Sequence, residues 1–262
     1  MRVGIDARII QTGFRNSGIG VYTYNLIKNL IEIKGRNDLV FYTFKDKTKF
    51  DIPNEFNKIE LIRWKRYNWF FQQFVEYRCS PDVFHFPVGL GPIRETILPY
   101  FQRKPTITTI HDLNLMHFQD SWSSYFSMTK DYRIQIRSLK KVKKIIAVSN
   151  YTKKDIVNTL NVKEDKVTVI YPGVNLEVFK PLKKRDQHIE KKYTSMRPFI
   201  LAVGEYPNKN VETIMRAISL IRSVNLLVVG NEKNFEKKNL INKLRLSRRV
   251  SFTGEVPVDE LV

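Results

Sequence analysis

The sequence predicts an α/β fold with mostly parallel sheets, laid down as two successive strand–helix series. Three observations carry that prediction. Short apolar runs of strand type alternate with segments of helical periodicity along most of the chain, the pattern of a parallel sheet covered on both faces. The chain opens with strand, glycine-containing loop and amphipathic helix, MRVGIDARIIQTGFRNSGIGVYTYNLIKNLIEI, the first unit of a doubly wound sheet. A polar, basic stretch over residues 180–198 interrupts the alternation before it resumes, as an inter-domain linker would.

Taken in order, Val3, Ile5 and Ala7 form the first apolar run, and Ile19, Tyr22, Leu26, Leu30 and Ile33 recur at helical spacing behind Ser17, a candidate N-cap. Gly18 and Gly20 stand where free N–H groups and the helix dipole favour a phosphate, and where a missing Cβ permits close approach of a ligand. The stretch is not a dinucleotide fingerprint. It reads G-I-G-V-Y-T, with Thr23 at the third glycine, and the loop from Ala7 to Gly18 is too long for the tight turn. Strands are then predicted over residues 39–44, 59–63, 82–86, 106–110, 144–148 and 166–170, and helices over 68–79, 123–140 and 151–160. Ligands of such sheets gather at the carboxyl ends of the strands, which gives weight to Arg8, Pro87, His111, Asp112, Ser149, Pro172 and Gly173. The second series runs strand 199–203, loop GEYPNKN, helix 211–221, strand 225–229 ending at Gly230, helix 235–246 and strand 250–253. This divides the chain into a first domain over 1–180, a basic linker over 181–197 and a second domain over 198–262. The last is shorter than a usual domain of ~100–150 residues and stops at V-D-E-L-V, where a helix begins, so it is expected to be incomplete.

Charge narrows the partners. The 262 residues hold 45 Lys+Arg against 26 Asp+Glu, a net +19, which points to an anionic partner such as a phosphorylated substrate or a membrane surface, or to a lysine-rich bias spread over solvated faces. No nucleic-acid-binding motif accompanies the charge. Cys79 is the single cysteine, so no internal disulfide forms and a reducing compartment fits. No apolar run approaches the length of a membrane span. The expected location is cytoplasmic, with peripheral contact on the inner face of the membrane as a further expectation. That expectation rests on residues 63–78 (RWKRYNWFFQQFVEYR), where Arg63, Trp64, Lys65, Arg66 and Trp69 interleave basic and aromatic groups suited to an anionic membrane or a lipid-linked acceptor; a core-facing helix with basic ends is the alternative. His85, His111 and Asp112 lack a further ligand at a metal-site spacing, so no metal is expected.

Seven segments, GIDAR…GIGVYTYNL, PDVFHFP, TIHDLN, KKIIAVSNYTKKDIV, VIYPGVNLEVFKP, ILAVGEYPNKNVETIMRAI and VSFTGEVPVDEL, follow one another in this order. Together the chain resembles the nucleotide-sugar-dependent glycosyltransferases of group 1 (family 4), over nearly its whole length. The resemblance implies the GT-B fold: two Rossmann-like domains facing a cleft, the second binding the nucleotide-sugar donor and the first contributing to the acceptor site, with retention of anomeric configuration and no metal or other cofactor. It implies that His111 lies near the donor sugar, with Asp112 beside it, and that His111 and Lys209 line the cleft. It implies that Gly204, Asn208, Lys209, Gly230 and the backbone at Val256 border the donor's diphosphate and base. Glu205 is expected to point to solvent, away from that diphosphate. Two features depart from the family pattern. Asn208 stands where relatives with a GTxEPRKN-like loop carry an Arg before the Lys, and the acidic E-x7-E-type motif that touches the donor sugar is expected beyond Val262.

The implied function is a retaining glycosyltransferase that moves a mannose- or glucose-like hexose from a nucleotide-diphosphate sugar to a hydroxyl of a glycan or lipid-linked acceptor in cell-surface polysaccharide biosynthesis, with this chain inactive when isolated. The alternative from a different class is a non-catalytic module that docks on a partner or a membrane. A nucleotide-sugar epimerase shares the fold, but the HDLN and PNKN contexts argue against it.

Overall fold

The computed structural model describes residues 1–33, 35–44, 57–61, 80–90, 98–117, 130–181, 191–193, 198–205, 207–232, 235 and 238–262. The chain divides into two compact units, Met1–Pro172 and Gly173–Val262. Residues 182–190 and 194–197 of the expected linker, residues 63–69 and the predicted helix over 68–79 lie outside the described residues.

In the first unit the order is β1 (Arg2–Asp6), α1 (Gly18–Ile33), β2 (Asp38–Phe44), β3 (Asn57–Leu61), β4 (Val83–Phe86), β5 (Thr106–Ile110), α2 (Asn114–His117), α3 (Lys130–Lys141), β6 (Lys144–Ala147), α4 (Asn150–Leu160) and β7 (Val167–Val169). The strands form one sheet of order β3-β2-β1-β4-β5-β6-β7, each pair parallel. Strand order reverses between β1 and β4, the switch point at which such sheets bind ligands. Side chains alternate between two buried faces. Val40, Tyr42, Phe84, Phe86, Ile110 and Ile145 pack with Leu139 of α3 and Ile156 of α4; Ile5, Leu39 and Phe41 pack with Ile27 of α1 on the other side. Burial on both faces is why β2 reads as an unbroken apolar run, LVFYTF. Gly4 is required by packing: a Cβ there would overlap the phenol of Tyr42, whose ring stacks on Phe84 at 5.7 Å.

Several predicted positions shift. The fully buried residues of α1 are Gly20, Thr23 and Ile27; of the predicted stripe, Ile19 and Leu30 pack half-buried against the same core and Ile33 is exposed. The third strand begins two residues earlier than predicted, with Val40 opposite Asn57.

In the second unit the order is β8 (Phe199–Val203), α5 (Val211–Leu220), β9 (Asn225–Val229), α6 (Lys238–Lys243), β10 (Val250–Phe252) and α7 (Val258–Leu261). The described strands form a parallel sheet of order β10-β9-β8. Successive β-α-β crossovers share one hand, so the crossover helices α5 and α6 fall on one face. Val211, Met215 and Ile218 of α5 and Leu240 of α6 pack with Ala202, Leu226 and Val228. The opposite face carries Leu201 and Val203 of β8, 44% and 51% exposed, and the buried Leu227 of β9.

Candidate active site

In the first unit the predicted site residues come from the carboxyl ends of β1, β4 and β5 and the start of α1. Asp6 and Arg8 close β1 with a buried ion pair: Arg8 Nε donates to Asp6 Oδ1 and Nη2 to Oδ2, each at 2.8 Å. This fork anchors the loop that leads to Gly18. At Gly18 a Cβ would meet open space, so the start of α1 is accessible; Gly20 instead accommodates the loop's own backbone. Ser17 Oγ donates to Phe14 O at 2.6 Å.

His111 follows β5 directly. Its Nε2 lies 3.0 Å from the carbonyl oxygen of Pro87. A carbonyl only accepts, so Nε2 carries the proton and Nδ1 presents a lone pair in the neutral ring. Burial pushes the His111 pKa below its ordinary value, against smaller upward contributions from the Pro87 bond and the Asp112 charge. The ring is therefore neutral near pH 7. Its other face meets Tyr22 of α1 edge-on, with centroids 4.7 Å apart at 85°. Thr152 Oγ1 donates to the His111 carbonyl at 3.2 Å, and Ser149 caps α4 by accepting from Thr152 N at 3.0 Å. Asp112 is exposed and accepts from Asn114 N at 3.0 Å, so its carboxylate opens α2.

Sequence reasoning missed a polar cluster behind His111. Thr109 Oγ1 lies 3.0 Å from His85 Nε2 and 3.3 Å from Tyr22 OH. His85 stands between Ile5 and Ile107 in the strand register, and this apolar setting lowers its pKa to about 4. Tyr22 was legible as a helix position, but nothing in the one-dimensional pattern pairs it with Thr109, 87 residues away.

In the second unit the loop after β8 gathers the other predicted residues. Gly204 adopts φ +92, a left-handed conformation that glycine takes without strain, and its missing Cβ leaves room for the stem of Lys209, 3.2 Å from where that atom would lie. Pro207–Lys209 form one 3-10 turn, and Asn210 begins α5 at φ 52 with no side-chain cap on the helix. No side chain of Asn210 caps this turn, Thr213 N donates to the Asn210 carbonyl at 3.1 Å, and the positive end of α5 lies beside Lys209, the arrangement that suits a diphosphate. Glu205 departs from expectation. It is buried, 8% exposed, and its carboxylate occupies the space that a Cβ on Gly230 would fill. Gly230 makes room for Glu205 because β8 and β9 end side by side. Gly254 N donates to Gly230 O at 3.0 Å, which brings the loop containing Val256 to the same end of the sheet. Among the described residues, no three His, Cys, Asp or Glu side chains lie together as metal ligands, and no helix is long and apolar enough to cross a membrane.

Two parallel-sheet units of this kind, with their candidate residues at the strand ends, define the fold of the GT-B glycosyltransferases. The Glycosyltransferase Family 4 model matches residues 16–178 and the Glycosyl transferases group 1 model matches residues 183–262; the chain belongs to glycosyltransferase family 4. Among curated proteins it is similar to the O-antigen chain mannosyltransferase RfbU of Salmonella typhimurium, 29% identical over 164 residues, which are 61% of this chain and 42% of the relative. The chain spans under half the length of the curated relatives it matches. Among solved structures it is similar to sucrose-phosphate synthase from Thermosynechococcus elongatus, at TM-score 0.71 and 16% identity, covering all of this chain and 72% of that one. It is also similar to Anabaena HepE in complex with UDP-glucose, at TM-score 0.64 and 16% identity, covering all of this chain and 71% of that one.

Proposed function

We propose that this chain supplies the binding and positioning groups of a retaining hexosyltransferase that uses a nucleoside-diphosphate sugar, without a metal, and a hydroxyl of a glycan or lipid-linked acceptor, in cell-surface polysaccharide biosynthesis. One observation carries the reading: the uncapped start of α5 with Lys209 folded over Gly204. When the glycosidic bond breaks, negative charge develops on the leaving diphosphate. Fixed N–H dipoles and one ammonium aimed at that charge stabilise it. The neutral ring of His111 serves a different end of the same reaction: its Nδ1 accepts a hydrogen bond from a sugar hydroxyl, and neutrality keeps it compatible with positive charge at the anomeric carbon. Support for a nucleotide-sugar donor comes from the UDP-glucose complex of Anabaena HepE; support for a mannose-like sugar and a surface polysaccharide comes from the name of the Salmonella relative. The cytoplasmic side of the membrane is the location this chemistry favours.

The test is calorimetry of UDP and GDP binding to the 262-residue protein. One of the two nucleotides binds, and Lys209→Ala weakens it about 10–100-fold, roughly 1.5–3 kcal/mol for a charged hydrogen bond. Asn208→Arg adds a second cation and tightens it. Equal affinity in Lys209→Ala and wild type would move the diphosphate elsewhere. A second reading, a non-catalytic module that docks on a partner, draws on the exposed Leu201 and Val203 of β8; it gains if neither nucleotide binds.

A further inference from the structure

We propose that His85 is a positioning residue for His111, acting through the Thr109 hydroxyl and the ring of Tyr22. The inference rests on the reading of His111 as a sugar-contacting residue, and it concerns groups to which that reading gives no task.

The cluster lies on the face of the first sheet that α1 covers. In the register Ile5 pairs with His85 and His85 with Ile107, and the Thr109 side chain, two residues on, projects from the same face. Thr109 is fully buried. A buried hydroxyl without a partner costs about 1–3 kcal/mol, yet Thr109 Oγ1 has two partners, His85 Nε2 at 3.0 Å and Tyr22 OH at 3.3 Å. The chain His85–Thr109–Tyr22 is hydrogen-bonded, and its last member meets the His111 ring edge-on at 4.7 Å. The backbone reinforces the arrangement: Gly89 N donates to Thr109 O at 2.9 Å, which holds the β4–β5 loop containing Pro87 against β5.

His111 therefore has two supports. Pro87 O takes the Nε2 proton at 3.0 Å, and the Tyr22 ring limits tilt about that bond. Removing the Tyr22 anchor frees the phenol to swing, the imidazole to tilt, and the Nε2–H bond to Pro87 to open to water. A packing role alone would not require a histidine at position 85, since Ile or Phe fills a strand site between two isoleucines at lower desolvation cost. Burial that lowers the His85 pKa to about 4 keeps the relay uncharged at neutral pH, so it orients His111 without adding a cation next to it.

The experiment is nitrogen-15 NMR of the histidine side chains in the full chain. In wild type the His111 Nε2–H gives a directly observed, slowly exchanging signal, and Nδ1 resonates as a bare lone-pair nitrogen. Tyr22→Phe keeps the ring and removes only the hydroxyl; His85→Phe and Thr109→Val break the chain further back. Each raises the solvent-exchange rate of the His111 Nε2 proton at least tenfold, while His85→Gln, which can still reach the Thr109 hydroxyl, restores slow exchange. Unchanged exchange in Tyr22→Phe overturns the proposal, as does a wild-type spectrum with the proton on Nδ1. A melting curve for each variant excludes unfolding as the cause of faster exchange, and Tyr22→Phe decides the matter if His85→Phe fails to fold. Failure of UDP and GDP to bind leaves the relay standing and removes the transferase reading, so the two fail separately.

Discussion

The two sheets are built by the same rule and end in different states of burial. In the first unit β1, β2 and β4 are packed on both faces, with Phe84 and Phe86 beneath α3 and α4 and Ile5 and Phe41 beneath α1. In the second unit α5 and α6 lie over Ala202, Leu226 and Val228, and on the other side Leu201 and Val203 of β8 are exposed while Leu227 of β9 is buried. Hydrophobic stabilisation follows apolar area removed from water, so a parallel strand covered once retains only part of what a strand covered twice gains. Opening of the second sheet is expected to be correspondingly easier.

Paired truncations break or sharpen that contrast with the largest effect. Phe84→Ala in the doubly covered sheet should destabilise the first unit by about 3–5 kcal/mol, read by hydrogen exchange of the β4 and β5 amides. Leu201→Ala on the open face should change the exchange of β8 by less than ~0.5 kcal/mol. Comparable losses at both sites would mean that the face bearing Leu201 is covered in solution.

Acid separates the units next. The folded-state pKa of His85 is lowered to about 4 from an ordinary value of 6.5, so between those pH values the unfolded chain binds more protons than the folded one. Stability of the first unit is then fully present above pH 6.5 and falls progressively toward pH 4, by about 2–3 kcal/mol. His111, displaced in the same direction, adds to the slope. The second unit has no described histidine. Urea titrations at pH 7.0 and 4.5, followed by exchange in each unit, should show the first losing more than the second, and His85→Gln should flatten the difference. A first unit equally stable at both pH values would contradict the buried, neutral His85.

How legible this was depends on the range of the contacts. Strands 106–110, 199–203 and 225–229 were readable to the residue because β-branched and apolar side chains fill them, with Asn225 the one exception at a strand start. The switch-point end of the sheet followed from topology, and with it His111 as the residue after β5. The α1 stripe was legible in part: Ile19 and Leu30 pack on the core, whereas the fully buried Gly20 and Thr23 carry no apolar signal. Glu205 was misjudged for a related reason. Charge alone argues for solvent, whereas Gly230 offers a space that only an adjacent strand end could reveal. The relay from His85 to His111 joins β4, β5 and α1, and no sequence spacing encodes it.

The smallest expected effect tests the feature that separates the two candidate helix starts. In α4 the first turn is occupied: Ser149 Oγ accepts from Thr152 N, so Ser149→Ala should cost about 0.5–2 kcal/mol. In α5 the corresponding residue, Asn210, sits at φ 52 and leaves the helix without a side-chain cap; its Oδ1 accepts from the Thr213 hydroxyl instead. Asn210→Gly should therefore be nearly neutral, because glycine enters the left-handed region freely and no N–H bond is lost, while Asn210→Ala should cost about 1 kcal/mol, because alanine keeps the Cβ in that region but loses the polar side chain with which asparagine tolerates it. Nucleotide affinity sharpens the point. If the N-terminal end of α5 holds the diphosphate, Asn210→Gly leaves UDP or GDP binding within about twofold of wild type. A large loss of affinity in a stable Asn210→Gly protein would show that the amide itself, and not the vacant helix terminus, receives the ligand.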